Sequence, residues 1–249
     1  MNHPFMDIPI PEPPPFSWDE VRAIPIEECG EEMVPASLVP EKILVRPQYY
    51  LHMIERAVPE CYVRRSVLER LLEAADMLPK GCRFVLLDSW RPRSIQTTLF
   101  QKFRSELREK MPLLNDAQIT SLASQYVAPP SLHPQHPSPH VTGGAVDLTI
   151  VDSTGIFLPM GTVFDETSER SGIAWFEKKL EEKESLTADE EEAMYNRRLL
   201  HYIMSKAGFV NYPDEWWHYD YGDQIWALLK EKKNAIYGVT EPAFRWRPS

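Results

Sequence analysis

"SPHVTGGAVDLTIVD" (residues 138–152) sets a histidine and an aspartate seven positions apart, with two glycines between them, at the head of an alternating apolar run. Side chains alternate across a strand, so Val146, Leu148 and Ile150 are expected to enter a core while Ala145, Asp147 and Thr149 point the other way. Asp147 is then displayed among small residues with open space around it. The stretch predicts a strand entered through a glycine turn, and its chemistry depends on whether His140 and Asp147 meet at one site or merely flank that turn.

Outward from this strand, the chain alternates between helical and extended patterns. Leu68, Leu71, Leu72, Ala75 and Leu78 recur at three- and four-residue spacing, which predicts an amphipathic helix lying on a sheet and ending near "PKG" (79–81). "CRFVLLDSW" (82–90) reads as a strand. The next segment reads as a helix with Pro92 near its first turn and Ile95, Leu99, Phe103 and Leu107 on one stripe, so Arg91 sits at a strand-to-helix junction. A further helix is expected around "NDAQITSLASQYV" (115–127), capped by Asn115 or Asp116, before the proline-rich loop "APPSLHPQHPSPH" (128–140). Residues 152–175 look irregular. "SLTADEEEAMYNRRLLHYIMSKAG" (185–208) reads as a capped helix with Leu200, Ile203, Met204 and Ala207 inward and Gly208 closing it, and "EWWHYDYG" (215–222) supplies the last strand. Helices and strands follow without a βαβ rhythm or an internal repeat, so the fold class is α+β.

Nine of the 23 prolines fall in the first 40 residues, where no helical or alternating period survives. That segment is expected to be an extended arm (1–40) wrapping a single domain (41–249). A formal charge of −10, concentrated in "EEKESLTADEEEA" (181–193), argues against nucleic acid or an anionic membrane surface as partner. No apolar run approaches the roughly 18 residues that span a bilayer. "MNHPFMDIPIPEPPPF" (1–16) lacks a basic start followed by an apolar run, so the cytoplasm is the expected compartment. Cys29, Cys61 and Cys82 have no close pairing and read as reduced thiols.

A carboxylate beside a strand gains meaning from its company. Imidazole and carboxylate ligands suit Zn²⁺, and a catalytic site takes three protein ligands with an open position for water; His140, Asp147 and His218 make such a set. Histidines 133, 136 and 140 form a competing local cluster, but the prolines between them disfavour three rings converging from one loop. Glu215 stands three residues before His218, and positions three apart on a strand face opposite sides. It joins His218 only from a turn or bulge, and "NYPD" (211–214) makes the turn the expected place. There it would stand near a metal without binding it, as a general base for water does; otherwise it is a solvated turn residue.

"SPHVTGGAVD", "EWWHYDYGDQ" and "SWRP" together resemble the zinc D-alanyl-D-alanine dipeptidases, VanX-type enzymes of the DD-peptidase/hedgehog fold group, over about residues 42–230. The resemblance implies a central, mainly antiparallel sheet flanked by helices. It also implies one Zn²⁺ per chain on His140, Asp147 and His218, Glu215 as catalytic base and Arg91 stabilising the transition state. "MGTVFDE" (160–166) resembles the family segment whose aspartate meets the free ammonium of the dipeptide, here Asp165, and Ser138 matches a serine that helps bind substrate. The chain departs from the VanX-type pattern at Val141-Thr142, where that enzyme has Ser-Arg, and at Ser89-Trp90, where it has Gly-Tyr; these positions are expected to bear on substrate preference.

Three functions compete: cleavage of free D-Ala-D-Ala, trimming of longer cell-wall peptides, and a non-catalytic zinc module. Glu215 and Arg91 argue against the last, since a structural zinc needs neither. The expected cytoplasmic location argues against the second, because intact wall lies outside. The expected activity is zinc-dependent hydrolysis of the small dipeptide D-alanyl-D-alanine.

Overall fold

The computed structural model describes residues 3–126, 131 and 133–243; the last residue of the helix expected at 115–127 and residues 128–130 and 132 of the proline-rich loop expected at 128–140 lie outside the described residues. The helices are α1 (Trp18–Ala23), α2 (Gln48–Leu51), α3 (Arg65–Asp76), α4 (Arg93–Lys110), α5 (Asp116–Tyr126), α6 (Trp175–Glu181), α7 (Ala188–Lys206) and α8 (Gln224–Leu229). The strands are β1 (Met33–Pro35), β2 (Ile43–Val45), β3 (Tyr62–Arg64), β4 (Arg83–Asp88), β5 (Ala145–Val151), β6 (Val210–Asn211) and β7 (His218–Asp220). Five strands form the main sheet in the order β2-β4-β5-β7-β6, parallel only between β2 and β4, and β1 pairs with β3 in a separate antiparallel ribbon. This is the α+β fold that the element order predicts.

β5 is the axis of the sheet. Val146, Leu148 and Ile150 enter the main core as expected, against Phe84 and Leu86 of β4, Val67 and Leu71 of α3 and Leu200, Ile203 and Met204 of α7. The other face differs from the sequence reading, because every residue of β5 is buried. Val151 packs there with Val85 and Leu87, and Phe164 lies against them. Asp147 is only 2% exposed. Alternation shows which way a side chain points, whereas what covers that face comes from residues distant in sequence.

The cap signals are realised. Asn115 exchanges hydrogen bonds with Gln118 at the start of α5, and Thr187 and Glu190 close a capping box on α7. Residues 9–17 are without regular structure, but the arm expected to be extended is interrupted by a 3₁₀ turn at Pro4–Asp7 and by α1, where Ser17 and Glu20 form another capping box. Six residues are too few to show a period, and the only signal was the S-x-x-E spacing of "SWDE". α4 and α5 pack on each other through Phe100, Leu107, Ile119 and Ala123, a cluster distinct from the main core.

His201 of α7 is largely buried, and its Nδ1 has no hydrogen-bond partner among the described residues. Burial, reinforced by nearby Lys230, holds its imidazole down to about 4. A histidine in the unfolded chain takes its proton near 6.5, so between about pH 6.5 and 4 the unfolded state binds more protons and stability falls as pH falls. The loss amounts to at most about 3 kcal/mol. We expect His201→Gln to flatten this acid decline in urea-unfolding titrations; an unchanged slope would rule out His201 as its source.

Candidate active site

Two glycines answer the question posed by residues 138–152. His140 lies in a single 3₁₀ turn, Pro139–Thr142, which ends at Gly143 in a left-handed conformation with φ of 73°. A Cβ on Gly144 would lie 2.4 Å from the carbonyl oxygen of Tyr221, so only glycine lets the turn pass so close to the end of β7. The turn is pinned from outside: Arg64 donates from Nε to the Thr142 carbonyl at 2.8 Å and from its backbone N–H to Gly143 at 3.0 Å. Glu28, from the N-terminal segment, pairs with the same guanidinium at 2.9 Å.

Sheet register supplies the other groups. Asp147 stands opposite His218 on β7. On the other side, an extra residue in β4 between Leu86 and Asp88 brings Asp88 opposite Asp147, aligning three polar side chains across neighbouring strands. His140 completes the cluster from the turn. Its Nε2 lies 3.2 Å from His218 Nδ1 and 3.5 Å from an Asp147 oxygen, and His218 Nδ1 lies 3.0 Å from the other Asp147 oxygen. One donor atom from each residue falls within 4.8 Å of the others, and all three residues are buried. The chelate of histidines 133, 136 and 140 is not formed; His133 and His136 stack on each other while His140 turns to the sheet.

The remaining ring nitrogens fix the tautomers. His140 Nδ1 donates to the Ser89 carbonyl at 2.7 Å, and His218 Nε2 donates to Asp220 at 2.8 Å. In the neutral rings the two nitrogens that face each other are then lone pairs, directed with a carboxylate at one point. Three acceptors this close repel one another unless a cation sits between them, and imidazoles oriented by a carbonyl and a carboxylate are the usual support of a bound metal. The proton response agrees. Burial opposes charge on His218, yet Asp220 and Asp147 outweigh it and hold the ring well above its ordinary value. Burial would raise Asp147, but His140 and His218 pull it well below the carboxylate range. The donor set fits a divalent ion such as Zn²⁺.

Glu215 occupies the turn before β7 rather than the strand. Tyr212 and Ser171 carbonyls take the backbone N–H groups of Glu215 and Trp216, and Asn211 donates to the Glu215 carbonyl at 2.9 Å. Its carboxylate oxygen reaches 3.8 Å from His218 Nδ1. Burial pushes this carboxyl above its usual range, with His218 pulling the other way and Asp147 and Asp165 adding to the rise. Arg91 donates from Nη1 to Asp88 at 2.8 Å, and its guanidinium lies over the Tyr49 ring, 5.3 Å from the centroid.

Asp165 sits on the segment covering the outer face of the sheet, in a left-handed conformation with φ of 62°. That conformation is unusual for a side-chain-bearing residue and is best tolerated by Asp and Asn. The segment is held by Arg197, which donates to the carbonyls of Met160, Arg170 and Gly172 at 2.7–2.8 Å. The surrounding protein, then the charge on Asp147, push the Asp165 carboxyl up, and a hydrogen bond with the Tyr49 side chain opposes them. Ser138 precedes the 3₁₀ turn and makes no side-chain cap.

His140, Asp147, His218, Glu215, Arg91, Asp165 and Ser138 all line one open cavity of about 530 Å³. Val141 and Thr142 do not line it: both are buried, and Thr142 Oγ1 ties the turn by donating to Pro139 and accepting from Gly144. Any bearing of this pair on substrate preference therefore runs through the turn that carries His140. Sequence reasoning missed Asp88, Tyr49 and Asp220. The two-residue strand period from His218 could have found Asp220, and nothing local marks Tyr49.

Three convergent donors with an acid alongside, opening onto a cavity, are the arrangement of a metal-assisted hydrolytic site. Comparison with known proteins gives the family. Residues 53–236 match the peptidase M15 family, D-Ala-D-Ala dipeptidase, and the chain belongs to that family. A D-alanyl-D-alanine dipeptidase from Synechocystis is 32% identical over 237 residues, 88% of this chain and 96% of the relative. One from Enterococcus faecium is 30% identical over 164 residues, 64% and 72% of the two chains. A more distant likeness is the solved structure of VanYB in complex with D-Alanine-D-Alanine, with 18% identity, 72% of this chain and 83% of that chain covered, and a TM-score of 0.41. Among the described residues no helix is long and apolar enough to cross a membrane.

Proposed function

We propose that this peptidase hydrolyses free D-alanyl-D-alanine to two D-alanines with one Zn²⁺ per chain held by His140, Asp147 and His218. The observation that carries the reading is the convergence of those three donors beside Glu215, which is close but is not one of them. Bound there, zinc supplies Lewis acidity and lowers the pKa of water toward about 7. Glu215 takes the proton of the attacking water on a carboxylate oxygen and passes it to the leaving amine; a carboxyl raised by burial suits both transfers. Arg91, permanently charged and held by Asp88, meets the oxyanion that develops on the scissile carbonyl.

Asp165 meets the dipeptide ammonium, and Ser138 assists in seating the substrate. A longer peptide has no ammonium at that position, so its binding would strip water from Asp165 without pairing it. The domain reading follows the same lines: residues 41–249 form the catalytic domain, and residues 1–40 are an arm that braces the His140 turn through Glu28 and Arg64. The expected compartment is the cytoplasm. The test compares D-Ala-D-Ala with a wall pentapeptide ending in D-Ala-D-Ala, with and without a chelator. The dipeptide should be cleaved faster, and the chelator should abolish cleavage until zinc is restored. Faster release from the pentapeptide would overturn the substrate reading, and chelator-resistant activity would overturn the metal.

A further inference from the structure

Arg91 is held by a second residue, from outside the sheet. Gln96 lies in the first turns of α4, is 1% exposed, and accepts a hydrogen bond on Oε1 from Arg91 Nε at 3.0 Å. With Asp88 on Nη1 at 2.8 Å and the Tyr49 ring against the guanidinium plane, two edges and one face of the group are fixed. Nη2 makes no hydrogen bond to a described side chain or backbone group, and Arg91 lines the cavity. A guanidinium bonded at Nε and Nη1 cannot rotate about its own plane, so the position of Nη2 is set by these two acceptors.

We propose that Gln96 is a positioning residue that fixes the orientation of Arg91, and that through it the α4–α5 hairpin sets the electrostatic side of the active site. The hairpin is suited to this. α4 and α5 share their own apolar cluster, apart from the main core, and α4 also contributes Leu99 and Phe103 to the cavity wall. Gln96 is thus a polar link between that unit and the arginine at the end of β4. Asp88 alone would leave the guanidinium free to pivot about a single bond, because its Oδ2 also lies 3.4 Å from His140 Nδ1 and is shared between the two. Burying an amide oxygen at this point is costly unless it accepts a hydrogen bond, and Oε1 accepts one from Arg91. The proposal rests on the reading of Arg91 as the group that meets the oxyanion.

The test uses Gln96→Met, similar in length but without the acceptor, and Gln96→Glu, which keeps an acceptor for Nε–H. Misplacing a transition-state contact by about 1 Å costs on the order of 100-fold. We expect kcat on D-Ala-D-Ala to fall by about 10- to 100-fold in Gln96→Met with KM within about threefold, and to recover in Gln96→Glu. In an Arg91→Ala background the Met substitution should cost nothing further. An equal loss in that background, a change in KM alone, or wild-type kcat in Gln96→Met would each overturn the proposal. A readout independent of activity is the ¹⁵N resonance of Arg91 Nε–H, assigned by its disappearance in Arg91→Lys. It should be protected from exchange in the wild-type protein and lose that protection in Gln96→Met; unchanged protection would overturn the proposal. Should the wild-type protein fail to cleave the dipeptide while this protection is lost on substitution, the positioning role stands and the dipeptidase reading falls.

Discussion

Glu215→Ala is expected to retain zinc and to lose about 10²- to 10⁴-fold in turnover of D-Ala-D-Ala, the range that a positioned general acid–base contributes. The expectation follows from where the carboxylate stands. It is 3.8 Å from His218 Nδ1, against 3.0 Å for the nearer Asp147 oxygen, and it is presented by a turn whose backbone is tied to Tyr212, Ser171 and Asn211 independently of the side chain. Removing it should therefore leave the turn and the three donors in place. Metal analysis beside steady-state kinetics decides the matter. Loss of zinc would make Glu215 a ligand, and a fall of less than about tenfold would remove it as the base.

Asp147→Ala should have the opposite signature, with zinc and activity lost together. Asp147 is the only carboxylate among the three donors, and without it two imidazoles face each other across 3.2 Å. A ligand that binds only the folded protein stabilises it by about 2.7 kcal/mol at a hundredfold excess over its Kd. Wild-type protein should therefore show a zinc-dependent rise in Tm, and the variant should show none. A variant that still binds one zinc per chain and still responds to it would exclude Asp147 from the donor set. Since Asp147 is buried against protonatable groups, the variant's Tm in chelator serves as the reference for any change in folding.

How much of this was legible in advance differs from residue to residue. The alternation in β5, the helical spacing in α3 and the caps on α5 and α7 are local patterns, and local backbone preference with one buried face is enough to fix them. The turn position of Glu215 was legible too, because three-residue spacing forbids a shared strand face and "NYPD" offers the alternative. α1 was not, since its six residues sit among prolines. Asp147 was read as lying in open space, but Phe164, carried by a segment that Arg197 ties down from α7, packs over that face of the sheet. Asp88 joined the row only through a bulge, which no spacing rule announces. Nothing in its local sequence sets Gln96 apart from other polar helix positions; only the packing of α4 brings it against Arg91.

By itself, the sequence determined the class of fold and the types of side chain that could bind a metal, because residue chemistry and short-range periodicity are written one position at a time. Only the tertiary structure decided that His140, Asp147 and His218 are one site. Their distances depend on strand register, on a left-handed Gly143 and on the Gly144 backbone passing against Tyr221, and each of these is a relation between segments that the chain brings together only by folding.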